Sequence, residues 1–334
     1  MKMQDQSSGF FSVLLALLGN FTITIIKFVG FIFSGSSALF SEAVHSFADT
    51  MNQSLLMVGI RRSVKMADEQ YTYGYGQERF LWALISACGI FFLGAGVTTY
   101  HGIMALNHPE VVRISPVIFL ILAASLVIEA ATFYFAVKEL YSNNKDATWK
   151  ERFEDGDPTT IAVIYEDGVA VLGVIIALIS LWLYQLTGKP YWDAVGSIII
   201  GFMLAVVAVV LIRKNRSYLI NRAIPEDARE RIMELLEEEP LVEKVLNFKS
   251  NILDVGVFHV KCEIEFNGAF LLKTMQADLR NDFEDIDNDF EEFKKFAVRY
   301  IDRVPRIIGQ RINELEEKIQ KEMPSIAHID IEIN

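Results

Sequence analysis

The stretch Glu42-Ala-Val-His45-Ser-Phe-Ala-Asp49-Thr-Met-Asn52 decides how this chain is read. It lies inside an apolar segment, residues 38–60, long enough to cross a bilayer. At 3.6 residues per turn, positions 42, 45, 49 and 52 share one helix face. A carboxylate, an imidazole, a second carboxylate and an amide therefore point the same way at membrane depth. Ionisable groups are costly there, so a stripe of them marks a functional site. A His and an Asp one turn apart can also grip a single divalent cation.

The surrounding chain has the composition such a site needs. Of 334 residues, 52% are hydrophobic and 12% aromatic, with the apolar residues in long uninterrupted runs. That pattern belongs to a polytopic α-helical membrane protein. Six transmembrane helices are predicted, over residues 10–33, 38–60, 80–103, 116–137, 158–186 and 192–212. The first is read as a span because its apolar run is too long for a cleavable signal and has no small-residue cleavage site. Basic residues cluster on one side: Arg61, Arg62, Lys65 and Arg79, then Lys138, Lys145, Lys150 and Arg152, then Arg213, Lys214 and Arg216. The opposite loops hold only Arg113 and Lys189, so both termini are expected in the cytosol.

Charge divides the chain into two domains. Residues 1–217 carry 15 Lys+Arg and 17 Asp+Glu, a net of −2, whereas residues 218–334 carry 16 and 26, a net of −10. An acidic soluble half is a poor nucleic-acid binder and attracts cations instead. Its pattern is α+β: a helix over 225–239 with Pro225 near its first turn, strands over 242–248 and 255–266, a helix over 306–323 and a strand over 328–334. Residues 271–303, rich in Asp, Glu and Phe, read either as an extra helix or as a partly disordered acidic insert. The two cysteines, Cys88 and Cys262, form neither a disulfide framework nor a metal cluster.

The membrane-depth candidates are Asn20, Glu42, His45, Asp49, Glu129, Glu166, Asp167 and Asp193. Asp193, at a span edge, reads as an interfacial cap. Adjacent Glu166 and Asp167 lie about 100° apart on their helix, so one can face an ion while the other faces a neighbouring helix or water. One imidazole with two carboxylates suits Zn²⁺, and also Mn²⁺ or Fe²⁺; soft Cu(I) is disfavoured. Such a cation favours the neutral imidazole and ionised carboxylates, so binding releases protons, which is the logic of an exchanger. In the acidic half, His259, His328, Asp330 and Glu332 could form a second metal site or an ordinary solvated sheet face. His101 and His108 are expected at the surface.

Several motifs together resemble the cation diffusion facilitators. The second-span signature is Gly35-Ser-Ser-Ala-Leu-Phe-Ser-Glu-Ala-Val-His45-Ser-Phe-Ala-Asp49-Thr-Met-Asn-Gln. The segments Tyr73-Gly-Tyr-Gly-Gln-Glu-Arg79-Phe, Asn107-His-Pro-Glu110 and Trp192-Asp-Ala-Val-Gly-Ser197 agree with it. The resemblance implies a homodimeric metal/proton antiporter with a metallochaperone-like cytosolic α+β domain at the dimer contact, in a bacterial or archaeal cell membrane. It implies metal ligation by His45, Asp49 and Asp167. Val163 stands where a further His or Asp is usual, which makes Glu166 the first replacement ligand, before Asn20, Glu42 or a water. Asn20, Glu42, Asn52 and Glu129 are the supporting or pathway candidates.

The resulting expectation is export of Zn²⁺ in exchange for protons, with no resident cofactor. The alternatives are an antiporter specific for Mn²⁺ or Fe²⁺, and a membrane metal sensor that binds without transporting. An intramembrane metal hydrolase is disfavoured, because the chain has no His-Glu-x-x-His and no obvious general base beside an open ligand position.

Overall fold

The computed structural model describes residues 2–109, 111–143, 148–149, 152–153, 158–286 and 289–334. Glu110, Lys145 and Lys150 lie outside the described residues. The chain separates into two compact units, Met1–Ile220 and Asn221–Asn334.

Among the described residues, the first unit contains six long helices: α1 Lys2–Ser34, α2 Ser37–Ser63, α3 Glu78–Asn107, α4 Pro116–Asn143, α5 Pro158–Thr187 and α6 Tyr191–Leu219. Each overruns its predicted span, because the helix continues past the apolar stretch into polar ends. Among the described residues, α3 to α6 are long and apolar enough to cross a membrane by composition alone, and α1 carries the shorter apolar run Gly19–Ser34. Helix α2 is less apolar because it holds Glu42, His45, Asp49 and Asn52, which the neighbouring helices shield. Large apolar side chains such as Ile32, Phe92, Leu120, Val127, Trp182 and Phe202 stand exposed around the bundle, as a lipid-facing belt requires.

Helix α2 is the hub, packed against α1, α3, α5 and α6. Gly35, at φ 69°, turns the chain sharply between α1 and α2. Ala38, Leu39, Leu122, Val174, Ala177, Leu181, Ile200 and Leu204 form one buried cluster. A second joins Ala48 of α2 to Ala87, Ile90, Val207, Ala208 and Leu211. Beside it, α3 loosens into a π-helical segment over Ile90–Val97, and Gly94 there meets Ala48. Such bulges recur at functional sites. Helices α3 and α6 approach closely at Gly102, where small residues let backbones meet in lipid.

The second unit has a three-stranded sheet, β1 Val242–Asp254, β2 Val257–Phe266 and β3 Ile326–Ile333, in the order β1-β2-β3. The β1–β2 pair is antiparallel and turns at Gly256, φ 69°; the β2–β3 pair is parallel. Helices α7 Glu226–Glu237, α8 Gly268–Thr274, α9 Gln276–Ile286 and α10 Phe290–Glu322 complete it. Pro225 precedes α7 as its cap, rather than standing in the first turn. Of the two readings of residues 271–303, the helical one holds for the described residues, since α8, α9 and the first half of α10 occupy the segment. Helix α10 passes through Pro305 and merges with the helix predicted at 306–323.

Candidate metal centre

His45 and Asp49 lie on the face of α2 that turns into the bundle. His45 is 2% exposed, and neither ring nitrogen has a hydrogen-bond partner. Its Nε2 is 3.6 Å from Asp49 Oδ2, beyond hydrogen-bond range, and Asp49 Oδ1 is also unpartnered. Buried polar atoms are almost always paired, so three unsatisfied atoms on two neighbouring side chains mark a place shaped for something else.

Asp49 opens onto a cavity of about 820 Å³ bounded by α1, α2, α4 and α5. Its polar lining includes Asn20, Gln53, Glu129, Glu139 and Asp167. Asp167 Oδ2 is unpartnered, and Asp167 shares the lining of this cavity with Asp49. Val163, one turn before Asp167, lines the same wall with an apolar face. Among the described residues no three His, Cys, Asp or Glu side chains stand close enough to hold a metal as they are placed. The structure thus brings His45 and Asp49 together and sets Asp167 on the wall of the cavity that Asp49 also lines.

Glu166 points elsewhere. It accepts a hydrogen bond from Asn52 Nδ2, while Asn52 Oδ1 accepts from Ser86 Oγ of α3. Asn20 borders the cavity and its backbone oxygen accepts from Thr24. Glu42 and Glu129 both bind Lys27 of α1, whose ammonium is fully buried; the separations are 3.1 and 2.7 Å. Asp193, on α6, caps α2 instead of its own helix. It accepts from Ser36 Oγ at 2.6 Å, from Ala38 N at 3.2 Å and from Ser37 N.

The sequence motifs assign no role to Lys27, Ser46 or Gln53. Gln53 continues the 45, 49 face by another i+4 step, and its Oε1 is buried without a partner, so periodicity alone is a signal that could have found it. His101 corrects the surface expectation: half-buried, it packs against Phe40 at 4.1 Å and Phe31 at 5.8 Å. His108 is exposed as expected.

The second unit does not assemble the other candidate set. His259 has both ring nitrogens engaged, with Asn251 Oδ1 and Asp330 Oδ2 at 3.0 Å each, and Lys261 holds Glu332 at 2.6 Å. His328 stands beside His259 in register, with ring centroids 6.3 Å apart. These contacts make a cross-strand polar face. Burial pushes the Cys262 thiol up to about 12, which leaves it an inert core residue.

The family model for the cation efflux transmembrane domain matches residues 13–220. Over 330 residues, 96% of this chain, the sequence is 36% identical to the human protein named proton-coupled zinc antiporter SLC30A9, mitochondrial. Metal tolerance protein C4 of Arabidopsis thaliana is 34% identical over 96% of the chain and 72% of its own length. An uncharacterized transporter of Methanocaldococcus jannaschii, MJ0449, is 26% identical over 83% of the chain and 93% of its own length. The chain spans 58% of the length of the human relative.

Proposed function

The chain belongs to the cation efflux family, whose members are membrane transporters and not enzymes, and we propose that it exports Zn²⁺ from the cytosol in exchange for protons. The observation that carries this reading is the unsatisfied His45–Asp49 pair, whose Asp49 lines the same membrane-depth cavity as Asp167. A borderline cation such as Zn²⁺ accepts one imidazole nitrogen and carboxylate oxygens together. Its arrival displaces protons from the same groups, and protons supplied from the other side displace the metal. Because the α2 and α5 groups are apart as placed, binding requires the two helices to close on the ion. Rocking of the bundle about this site would alternate access.

Glu166, held by Asn52, is placed to join only if that hydrogen bond opens. In the same reading both termini are cytosolic, the acidic second unit regulates and dimerises the transporter, and two copies form the working assembly. The human relative is named a proton-coupled zinc antiporter, which supports zinc and proton coupling. Relatives named as mitochondrial lend no support to a bacterial or archaeal cell membrane.

The test is Zn²⁺ uptake into inverted vesicles under an imposed pH gradient. His45→Ala and Asp49→Ala, each assembled normally, are expected to abolish uptake. Wild-type rates in both variants would sink the reading, as would wild-type protein that binds Zn²⁺ in proteoliposomes without moving it.

A further inference from the structure

Lys27 is an ammonium held at membrane depth with all three of its donors used. They go to Glu129 Oε1 at 2.7 Å, Ser46 Oγ at 2.9 Å and Glu42 Oε2 at 3.1 Å. Two carboxylate oxygens and a hydroxyl oxygen around one positive centre are what the protein would offer a free cation, and here the cation is tethered to α1. Ser46 follows His45 directly, and Glu42 precedes it by one turn, so this triad adjoins the half-site on α2.

The two carboxylates differ in where their second oxygen lies. Glu129 Oε2 is buried without a partner, and Glu129 lines the same cavity as Asp49 and Asp167. Glu42 Oε1 is also unpartnered but is pressed against α5, where a Cβ at Gly173 would collide with it. Only Glu129 could turn toward an ion in the cavity, and Lys27 is what holds it back.

The geometry points to Lys27 as a specificity-determining residue that withholds Glu129 from the transported ion, keeping the site a mixed nitrogen–oxygen set. Released into the cavity, Glu129 adds a hard carboxylate beside Asp49 and Asp167. An oxygen-rich set favours harder cations such as Mn²⁺ over Zn²⁺. The inference rests on the reading of His45, Asp49 and Asp167 as the metal site.

Two double variants isolate the effect, because each keeps the triad's net charge at −1, the sum of one cation and two carboxylates in the native protein. Lys27→Met with Glu42→Gln leaves Glu129 free; Lys27→Met with Glu129→Gln leaves only Glu42. Zn²⁺ and Mn²⁺ binding to the full chain in lipid nanodiscs is measured by competitive equilibrium dialysis, with thermal unfolding as the fold check. The first variant is expected to lower the Zn²⁺/Mn²⁺ affinity ratio by roughly tenfold or more, the scale on which groups around a metal's ligands tune affinity. The second is expected to stay within about twofold of native. An unchanged ratio in the first variant overturns the inference, and so does an equal fall in both. Native protein that binds no Zn²⁺, or binds it as well after His45→Ala, defeats the metal-site reading instead.

Discussion

Replacing Asp193 with Asn tests how the orientation of α2, and therefore of His45 and Asp49, is fixed. The carboxylate is 2% exposed and gathers three donors from the first turn of α2: Ser36 Oγ, Ser37 N and Ala38 N. The backbone N–H groups at a helix start have no partner within the helix, and the dipole there favours negative charge. Ser36 Oγ is itself a relay, accepting from Leu39 N at 3.1 Å while donating to Asp193. An amide keeps one oxygen, which can hold two of these donors, and turns its NH₂ toward the third. A lost charge-assisted bond, at about 1.5–3 kcal/mol, and a lost charge–dipole term, at about 0.3–2 kcal/mol, give a cost of roughly 2–5 kcal/mol. With roughly 2–4 °C per kcal/mol for a unit of this size, the melting temperature in nanodiscs should fall by about 4–20 °C. Ser36→Ala removes a donor to the same carboxylate, so the double variant should cost less than the sum of the singles, with coupling of at least about 0.5 kcal/mol. A melting temperature for Asp193→Asn within about 1 °C of native, or strict additivity with Ser36→Ala, would refute this account of the α2 anchor.

Two further outcomes follow from contacts outside the centre. A Cβ at Gly102 would sit 2.8 Å from Ile198 Cγ1 and 3.1 Å from the Ile198 backbone nitrogen, so Gly102→Ala must part α3 and α6; a loss of about 1–3 kcal/mol in thermal unfolding is expected, and native stability would contradict the close packing. In the 64–77 loop, Asp68 accepts from Lys65, Tyr75 and the backbone of Tyr71 and Gln70, which holds its carboxyl well below the usual carboxylate range. Because the folded value is depressed, the ordering it provides is complete above its ordinary value, near 3.8, and fades only as pH falls below that. The protection factor of the Tyr71 amide, its exchange relative to an unstructured amide at the same pH, should therefore be the same at pH 5 and pH 7 in the native chain and lower at both in Asp68→Asn. Equal exchange in the two proteins would count against the loop's anchoring.

The parts of this molecule that one helix or strand decides by itself are legible in the amino-acid sequence. The six spans follow from the bilayer's demand for about 20 apolar residues, and the His45–Asp49 face follows from helical periodicity. Groups whose partners lie far along the chain are not legible in this way. Asp193 reads as an interfacial cap at a span edge, whereas the groups it binds are more than 150 residues away on α2. Glu166 reads as the nearest replacement for the ligand missing at Val163, but Asn52 claims its carboxylate from a helix 114 residues distant. The acidic segment 271–303 leaves two readings open because its Phe and charged residues satisfy a helix as well as a solvated insert. Pro305 suggests a boundary where α10 runs on.

The Lys27 triad lies between these extremes, and half of it is legible. A turn as tight as Gly35 forces α1 and α2 into an antiparallel hairpin, so residues equally far from the turn lie at the same height. Lys27 is eight residues before Gly35 and Glu42 seven after it, which predicts their pairing from the sequence alone. The same reflection sets Asn20, fifteen residues before the turn, level with Asp49, fourteen after, and both do border one cavity. Glu129 cannot be placed this way, because a connection of about ten residues or more leaves the height and rotation of the next helix unfixed. Its arrival beside Lys27 depends on the packing of α4 against α1 and α5. The charge that a sequence shows as an anomaly in an apolar run is thus half explained by a local hairpin. The other half, the carboxylate that Lys27 holds back from the cavity, exists only in the assembled bundle.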